Sequence, residues 1–165
     1  MCKICFLNLE MTTSLKLVCV GDAGVGKTCF LKRLNDDIFE ECYHSTESRY
    51  TTWVEIDYQG KKYLTMDTAG QEKGLKPPFG WNEADVFFVM FDLTNSLSYK
   101  NTSWWIEKIR KNNLTARLIL VGTKCESKSR KLHLKDIQVH NKYSIPYVEI
   151  SSKNKISINE LFTFL

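Results

Sequence analysis

The segment from Gly21 to Thr28 has the residue types and spacing of a phosphate-binding loop, Gly-x-x-x-x-Gly-Lys-Thr. Glycines let backbone N–H groups turn inward around phosphate oxygens, and a helix that follows the loop adds its positive N-terminal end. In this pattern Lys27 reaches the terminal phosphates and the hydroxyl of Thr28 ligates Mg²⁺. The predicted binding residues of this loop are Ala23, Gly24, Val25, Gly26, Lys27, Thr28 and Cys29.

A second group of chemically apt residues is Asp67-Thr68-Ala69-Gly70-Gln71-Glu72. The carboxylate of Asp67, at the end of a predicted strand, is suited to hold Mg²⁺, often through water. The N–H of Gly70 can point at a γ-phosphate, and Gln71 can orient an attacking water. Phosphoryl transfer depends on such positioning and on charge stabilisation more than on covalent chemistry. Because the two motifs lie on different strands, their joint occurrence predicts a site for phosphoryl transfer.

The elements that must position these motifs alternate between strands and helices. The predicted strands are Leu15–Val20, Arg49–Tyr58, Tyr63–Asp67, Val86–Phe91, Arg117–Gly122 and Tyr147–Ile150, with a hairpin turn at Gln59-Gly60-Lys61. Four helices are predicted. The first follows the phosphate loop, the second begins after a cap at Ser96, the third runs from Leu134 to Tyr143, and the fourth is at the end of the chain. This alternation predicts an α/β fold, a six-stranded mostly parallel sheet flanked by helices on both faces. Ligands of such sheets bind at the carboxyl ends of the strands, where the motifs fall.

Composition predicts one ordinary globular domain. The chain has 165 residues, 43% of them hydrophobic and 25% charged, and a net charge of +4 that does not call for a nucleic-acid partner. No apolar run reaches the length of a membrane span. The positions of the six cysteines are not typical of a disulfide framework, which favours a reduced cytosolic compartment. We interpret residues 1–13 as an N-terminal extension and residues 14–165 as the domain.

Two later motifs, Thr123-Lys124-Cys125-Glu126 and Ser151-Ser152-Lys153, follow strands in the same manner. With the first two motifs, in this order, the chain resembles the Ras superfamily of small GTPases from about Leu15 to Leu165. The resemblance implies a P-loop G domain that binds GTP or GDP with Mg²⁺. It places Thr123, Lys124 and Glu126, together with Ser151, Ser152 and Lys153, around the guanine base.

Glu126 departs from the family pattern, which has aspartate at this position. The added methylene can misplace the carboxylate and weaken guanine binding by about 1–3 kcal/mol, the scale of an unmade buried hydrogen bond. In the last motif the implied guanine contact is the backbone N–H of Ser152, which does not depend on the side chain.

The resemblance also assigns the switch and catalytic residues. Tyr43-His44-Ser45-Thr46 resembles the family's first switch, in which Tyr43 covers the nucleotide and Thr46 contacts Mg²⁺ and the γ-phosphate. Gln71, Lys27 and Thr46 are then the catalytic residues, and Thr28, Thr46 and Asp67 hold the metal. The sequence contains no arginine finger that we can identify, so hydrolysis is expected to be slow, with an activating protein supplying one.

Three further features bear on regulation. Ala23 stands where Ras members have glycine, which puts stimulated hydrolysis in question. Pro77-Pro78 predicts an irregular second switch, because proline removes a donor and disfavours helix before it. The chain carries no C-terminal lipidation motif, so membrane association stays open.

The subfamily indications are mixed. Gly21 to Cys29 resembles Rab proteins, Leu120 to Lys124 resembles Rho proteins, and the span from Glu126 to Ser151 is too short for the Rho insert. We interpret the chain as an atypical Rab-like member, a switch in vesicle trafficking or cytoskeletal signalling. Exchange factors, activating proteins and effectors would bind the switch regions, in the cytoplasm or on the cytosolic face of membranes. The alternatives are a pseudo-GTPase that acts as an interaction module, and a P-loop ATPase that has lost guanine selectivity.

Overall fold

A six-stranded sheet organises the computed structural model, which describes residues 14–40, 53–69 and 80–165. Its strands are β1 (Leu15–Val20), β2 (Val54–Tyr58), β3 (Lys61–Asp67), β4 (Val86–Asp92), β5 (Arg117–Thr123) and β6 (Tyr147–Glu149). They lie in the order β2-β3-β1-β4-β5-β6, and all pairs are parallel except β2 with β3. The α/β fold with a mostly parallel sheet is therefore confirmed.

Strand β4 shows why the sheet is covered on both faces. All seven of its residues are buried, as a continuous apolar run in a central parallel strand predicts. Successive side chains point to opposite faces, so Phe87 and Phe91 enter one hydrophobic cluster while Phe88 and Met90 enter the other. The sheet thus separates two cores, and each core is closed by helices.

The helices in the described ranges are α1 (Lys27–Asp36), α2 (Ser96–Lys100), α3 (Thr102–Asn112), α4 (Val139–Tyr143) and α5 (Ile158–Leu161). Short 3₁₀ helices span Trp81–Glu83, Leu134–Asp136 and Phe162–Phe164. Helix α1 buries Phe30 and Leu34 on one face of the sheet, where α5 also packs. Helix α3 buries Trp105, Ile106 and Ile109 on the other. None of these helices is long and apolar enough to cross a membrane.

The hairpin between β2 and β3 forms at the predicted turn. Gln59 and Gly60 both take positive φ, 54° and 74°, as a two-residue hairpin turn of type I′ requires. Strand β2 begins at Val54, whereas the predicted strand began at Arg49; residues 49–52 lie outside the described residues.

Two helix predictions were wrong. The cap of α2 is Asn95 and not Ser96, because Asn95 Oδ1 accepts the N–H of Leu97 at 3.0 Å. The helix predicted from Leu134 to Tyr143 is broken. Ile137 is buried in an extended conformation between a 3₁₀ turn and α4.

Candidate functional site

The glycine-rich loop connects the carboxyl end of β1 to the first residue of α1. Gly21 has φ +143°, and a Cβ at this position would lie 2.2 Å from the carbonyl oxygen of Met90, so no larger residue fits. Gly24 and Gly26 also take positive φ, 76° and 99°, a conformation that glycine adopts at little cost. Helix α1 starts at Lys27, so its N-terminal end opens directly onto the loop.

The ammonium group of Lys27 lies inside this loop. Its side chain is 5% exposed, and Nζ donates to the carbonyl oxygens of Gly21 at 2.9 Å and Asp22 at 3.0 Å. These contacts hold a buried positive charge at the mouth of the helix, where an anion would meet both the ammonium and the helix dipole.

Thr28 and Asp67 meet although they are far apart in the chain. Thr28 Oγ1 donates to Asp67 Oδ2 at 2.6 Å, which joins the first turn of α1 to the end of β3. The neighbouring Thr68 fixes the strand end, because its hydroxyl donates to the carbonyl of Cys19 at 2.8 Å. A hydroxyl and a carboxylate are the hard oxygen ligands that Mg²⁺ takes. The predicted metal ligands that the structure describes therefore fit a magnesium site.

The segment after β5 is tied to the glycine-rich loop. The hydroxyl of Thr123 lies 2.7 Å from the carbonyl oxygen of Val25 and 3.0 Å from that of Phe91. Lys124 Nζ donates to the carbonyl of Gly24 at 3.1 Å and to the carboxylate of Asp92 at 2.6 Å. Motifs about a hundred residues apart therefore form one structural unit.

A cavity of about 620 Å³ opens between these segments, a size typical of small-ligand sites. The predicted site residues that line it are Gly24, Val25, Gly26, Lys27, Thr28, Cys29, Thr123, Lys124, Glu126, Ser152 and Lys153. Two of the predicted nucleotide-binding residues that the structure describes are not part of the lining. Ala23 is exposed, and Ser151 is buried, with its hydroxyl accepting the N–H of Asn154 at 2.9 Å. Predictions on Tyr43, Thr46, Gly70 and Gln71, and on the Pro77-Pro78 switch, lie outside the described residues.

Comparison with known families decides what kind of domain carries this cavity. A family model described as Ras family matches residues 16–165, which is most of the chain. The chain belongs to the Ras family. It is a small GTPase domain of the Ras superfamily, a guanine-nucleotide-binding switch of the kind that binds regulators and effectors.

The cavity of this Ras-family domain is also lined by a carboxylate group with one oxygen that accepts no hydrogen bond from the described residues. Glu126 lines the cavity and is half-buried, and its Oε2 is covered from solvent. No described residue donates a hydrogen bond to that oxygen. An N–H donor from a ligand in the cavity would satisfy this oxygen once the side chain turns toward it.

The charge of the pocket in the Ras-family domain favours a polyanion. Five lysines and two glutamates line the cavity: Lys27, Lys32, Lys124, Lys128, Lys153, Glu40 and Glu126. Lys32 pairs with Glu40 at 2.7 Å. The excess of positive charge suits a nucleotide carrying two or three phosphates.

A partly buried ion pair lies near the last two motifs. Arg130 donates to Glu149 through its two Nη atoms, at 2.6 and 2.7 Å, and Tyr147 donates to the same carboxylate at 2.7 Å. Burial opposes ionisation of Glu149, but these hydrogen bonds outweigh it, so the pKa of Glu149 lies below its ordinary value. The pair joins the segment after β5 to β6.

Sequence reasoning missed Phe39 and Arg33. Phe39 lines the cavity just beyond the end of α1, and Arg33 packs behind it. Phe39 belongs to no motif and lies three residues after the end of α1, so residue types and spacing gave no signal for it.

Proposed function

We propose that this chain is a guanine-nucleotide switch that hydrolyses GTP slowly with the help of Mg²⁺. The observation that carries the proposal is the convergence of three features on one cavity: the glycine-rich loop, Thr28 with its hydroxyl bonded to Asp67, and the segment from Thr123 to Glu126. We take residues 14–165 as the functional domain and residues 1–13 as an extension before it.

On the phosphate side, the residues bind and neutralise charge. The loop from Ala23 to Cys29 surrounds the phosphates with N–H groups, and Lys27 contacts the terminal phosphates with its buried ammonium. Thr28 and Asp67 would hold Mg²⁺, which would supply positive charge against the phosphate oxygens. The hydroxyl and carboxylate already lie together, so little rearrangement is needed to bind the metal.

On the base side, the residues recognise guanine. Glu126 accepts the ring N–H and amino group, Ser152 donates its backbone N–H to the guanine oxygen, and Lys124 lies along the base. Phe39 also lines the cavity and supplies an aromatic face for the base. The Glu126 oxygen that receives no hydrogen bond from the described residues supports this assignment.

Hydrolysis requires groups beyond the described residues. We assign the orientation of the attacking water to Gln71, and a γ-phosphate and metal contact to Thr46, with Gly70 and Tyr43 also on the nucleotide. No arginine is among the described residues that line the cavity. This supports a slow intrinsic rate and an activating protein that supplies a cation in trans.

As a switch, the domain would change partners when GTP is hydrolysed. We propose exchange factors, activating proteins and effectors as partners, binding through the two switch regions around Thr46 and Gln71. The Rab-like features support a role in vesicle trafficking or cytoskeletal signalling, in the cytoplasm or on the cytosolic face of a membrane.

The first test is a titration with fluorescent GDP in Mg²⁺, followed by competition with GTP and ATP. Tight binding that GTP but not ATP displaces supports guanine recognition, and single-turnover hydrolysis then measures the rate. A Gln71→Leu variant should slow that rate. Tight binding without turnover would favour the pseudo-GTPase instead, and equal displacement by ATP would refute guanine selectivity.

A matched pair of variants tests the metal assignment. Thr28→Val removes the hydroxyl while keeping the side-chain shape, so EDTA should no longer weaken GDP binding in this variant. Thr163→Val is the control, because the Thr163 hydroxyl is exposed and donates to Glu160, away from the cavity. An undiminished EDTA effect in Thr28→Val would contradict the assignment.

A further inference from the structure

Arg33 makes an unusual set of contacts from the last turn of α1. Its side chain is 11% exposed, and its three guanidinium nitrogens each donate to a main-chain carbonyl. Nε reaches Ser152 at 2.7 Å, Nη2 reaches Lys153 at 3.3 Å, and Nη1 reaches Asp37 at 2.6 Å. One side chain therefore joins α1 to a loop that lies about 120 residues later.

These bonds fix the orientation of peptide groups in the loop that contains Ser152 and Lys153. A trans peptide unit is planar, so holding the Ser152 carbonyl on Arg33 turns the N–H of Lys153 to the opposite side. The next N–H, that of Asn154, is held by the hydroxyl of Ser151 at 2.9 Å. The backbone of this loop is thereby held by Arg33 and by the buried hydroxyl of Ser151, and the exposed Lys155 adds an ion pair with Asp37 at 2.5 Å.

The same guanidinium braces a second wall of the cavity. The Cζ atom of Arg33 lies 5.9 Å from the ring centroid of Phe39, within the range of a cation–π contact. Phe39 and Ser152 both line the cavity, whereas Arg33 does not. Arg33 therefore lies behind the surface that a base would touch.

Helix α1 thus contacts both ends of the cavity. Its first residue, Lys27, lies in the glycine-rich loop, and Arg33 holds the loop at Ser152. We infer that Arg33 is a positioning residue for guanine recognition. It holds the Ser152 loop and Phe39 in place and so sets both the affinity for guanine nucleotides and their preference over adenine nucleotides. This inference rests on the proposed function.

The test compares Arg33→Ala with Arg110→Ala in the full chain. Arg110 is a matched control, because its guanidinium also donates to two loop carbonyls, those of Leu114 at 3.1 Å and Ala116 at 2.8 Å, but far from the cavity. Competition against fluorescent GDP gives the Kd of GDP and of ADP, and thermal unfolding gives the stability of each variant.

We expect Arg33→Ala to raise the Kd of GDP about 10- to 100-fold, as the loss of charge-assisted hydrogen bonds implies. The Kd of ADP should change less than about 3-fold, since its base gains nothing from the guanine contacts. Arg33→Lys keeps the positive charge but cannot donate to all three carbonyl groups in the same geometry. Its GDP affinity should therefore lie between those of wild type and Arg33→Ala. Arg110→Ala should lower the Tm and leave the ratio of GDP to ADP affinity unchanged.

Equal weakening of GDP and ADP in both Arg33 variants would overturn the inference, because a loss of overall structure does not select a base. If Arg33→Ala does not fold, Arg33→Lys decides by the same ratio. Failure of the wild-type chain to bind GDP would be a different result, since it would remove the proposed function itself.

Discussion

Replacing Glu126 with glutamine should have opposite effects on stability and on guanine binding. In the described structure the carboxylate oxygen Oε2 is covered from solvent and receives no hydrogen bond. Leaving a buried polar group unsatisfied costs about 1–3 kcal/mol, and more when the group is charged. A glutamine amide would also lack a partner there but carries no charge, so only the extra cost of the charge is removed. Because Glu126 is half-buried, we expect Glu126→Gln to stabilise the nucleotide-free protein by about 1 kcal/mol. For a chain of 165 residues this raises the Tm by about 2–4 °C.

Binding should change in the other direction. The glutamine amide can accept one N–H of guanine but presents its own N–H₂ to the second donor. Loss of a charge-assisted acceptor should raise the Kd of GDP about 10- to 100-fold. Xanthine has a carbonyl oxygen where guanine has the amino group, so the amide pairs with it. The Glu126→Gln variant should therefore prefer xanthosine diphosphate over GDP.

The assay is urea unfolding of the nucleotide-free protein in EDTA, together with titrations of GDP and xanthosine diphosphate. Glu83→Gln is a suitable control, because Glu83 is a partly exposed carboxylate that pairs with Lys16 away from the cavity. Unchanged GDP affinity in Glu126→Gln would refute the role of Glu126 in base recognition. A loss of stability in the nucleotide-free protein would refute the claim that its carboxylate is unsatisfied.

Three further predictions concern the supports of the site. Thr123→Val removes a buried hydroxyl that contacts two carbonyl groups, so it should lower the free energy of unfolding by about 1–3 kcal/mol and weaken GDP binding. Trp105→Phe keeps an aromatic ring but loses the N–H bond to Asp22 Oδ1 at 3.0 Å, and should cost about 1–3 kcal/mol in thermal unfolding. The Glu149–Arg130 pair should stabilise the fold fully above pH 4.5, the ordinary pKa of glutamate. This contribution should be lost as the pH falls through the lower pKa of folded Glu149, as a comparison of unfolding against pH with Glu149→Gln would measure.

Each of these predictions has a contrary result. Full stability in Thr123→Val would mean that the hydroxyl does not tether the phosphate loop. Equal losses in Trp105→Phe and in Trp104→Phe, whose ring is 36% exposed, would mean that the bond to Asp22 adds nothing. A stability difference between wild type and Glu149→Gln that stays constant from neutral pH to pH 3, about 1.5 units below the ordinary value, would exclude the lowered pKa.

The sheet could be predicted because its signals are local. Strand β4 consists of six consecutive apolar residues and a final aspartate, and this run predicts a buried strand without knowledge of the rest of the chain. The break at Ile137 could not be predicted in this way. The N–H groups of Gln138 and Val139 donate to the hydroxyl of Tyr99, at 2.7 and 3.2 Å, and this partner lies about forty residues earlier. The helical spacing of apolar residues cannot predict a contact with a residue so far away in the chain.

The same distinction holds for the site. Each nucleotide motif is a short run at the end of one strand, so the parallel topology alone indicates that the runs come together. Arg33 belongs to no motif, and its partners Ser152 and Lys153 contribute carbonyl groups that every residue has. A role that depends on main-chain acceptors in a distant loop has no signature in residue types.

The hydrogen bond from Trp105 to Asp22 also has an optical consequence. The indole of Trp105 touches the phosphate loop, and its ring lies 4.9 Å from that of Trp104 and 6.5 Å from that of Trp81. Indole emission responds to hydrogen bonding and to nearby charge, and rings this close exchange excitation energy. The domain therefore contains its own fluorophore at the loop, so its light emission can follow nucleotide exchange in real time without a label.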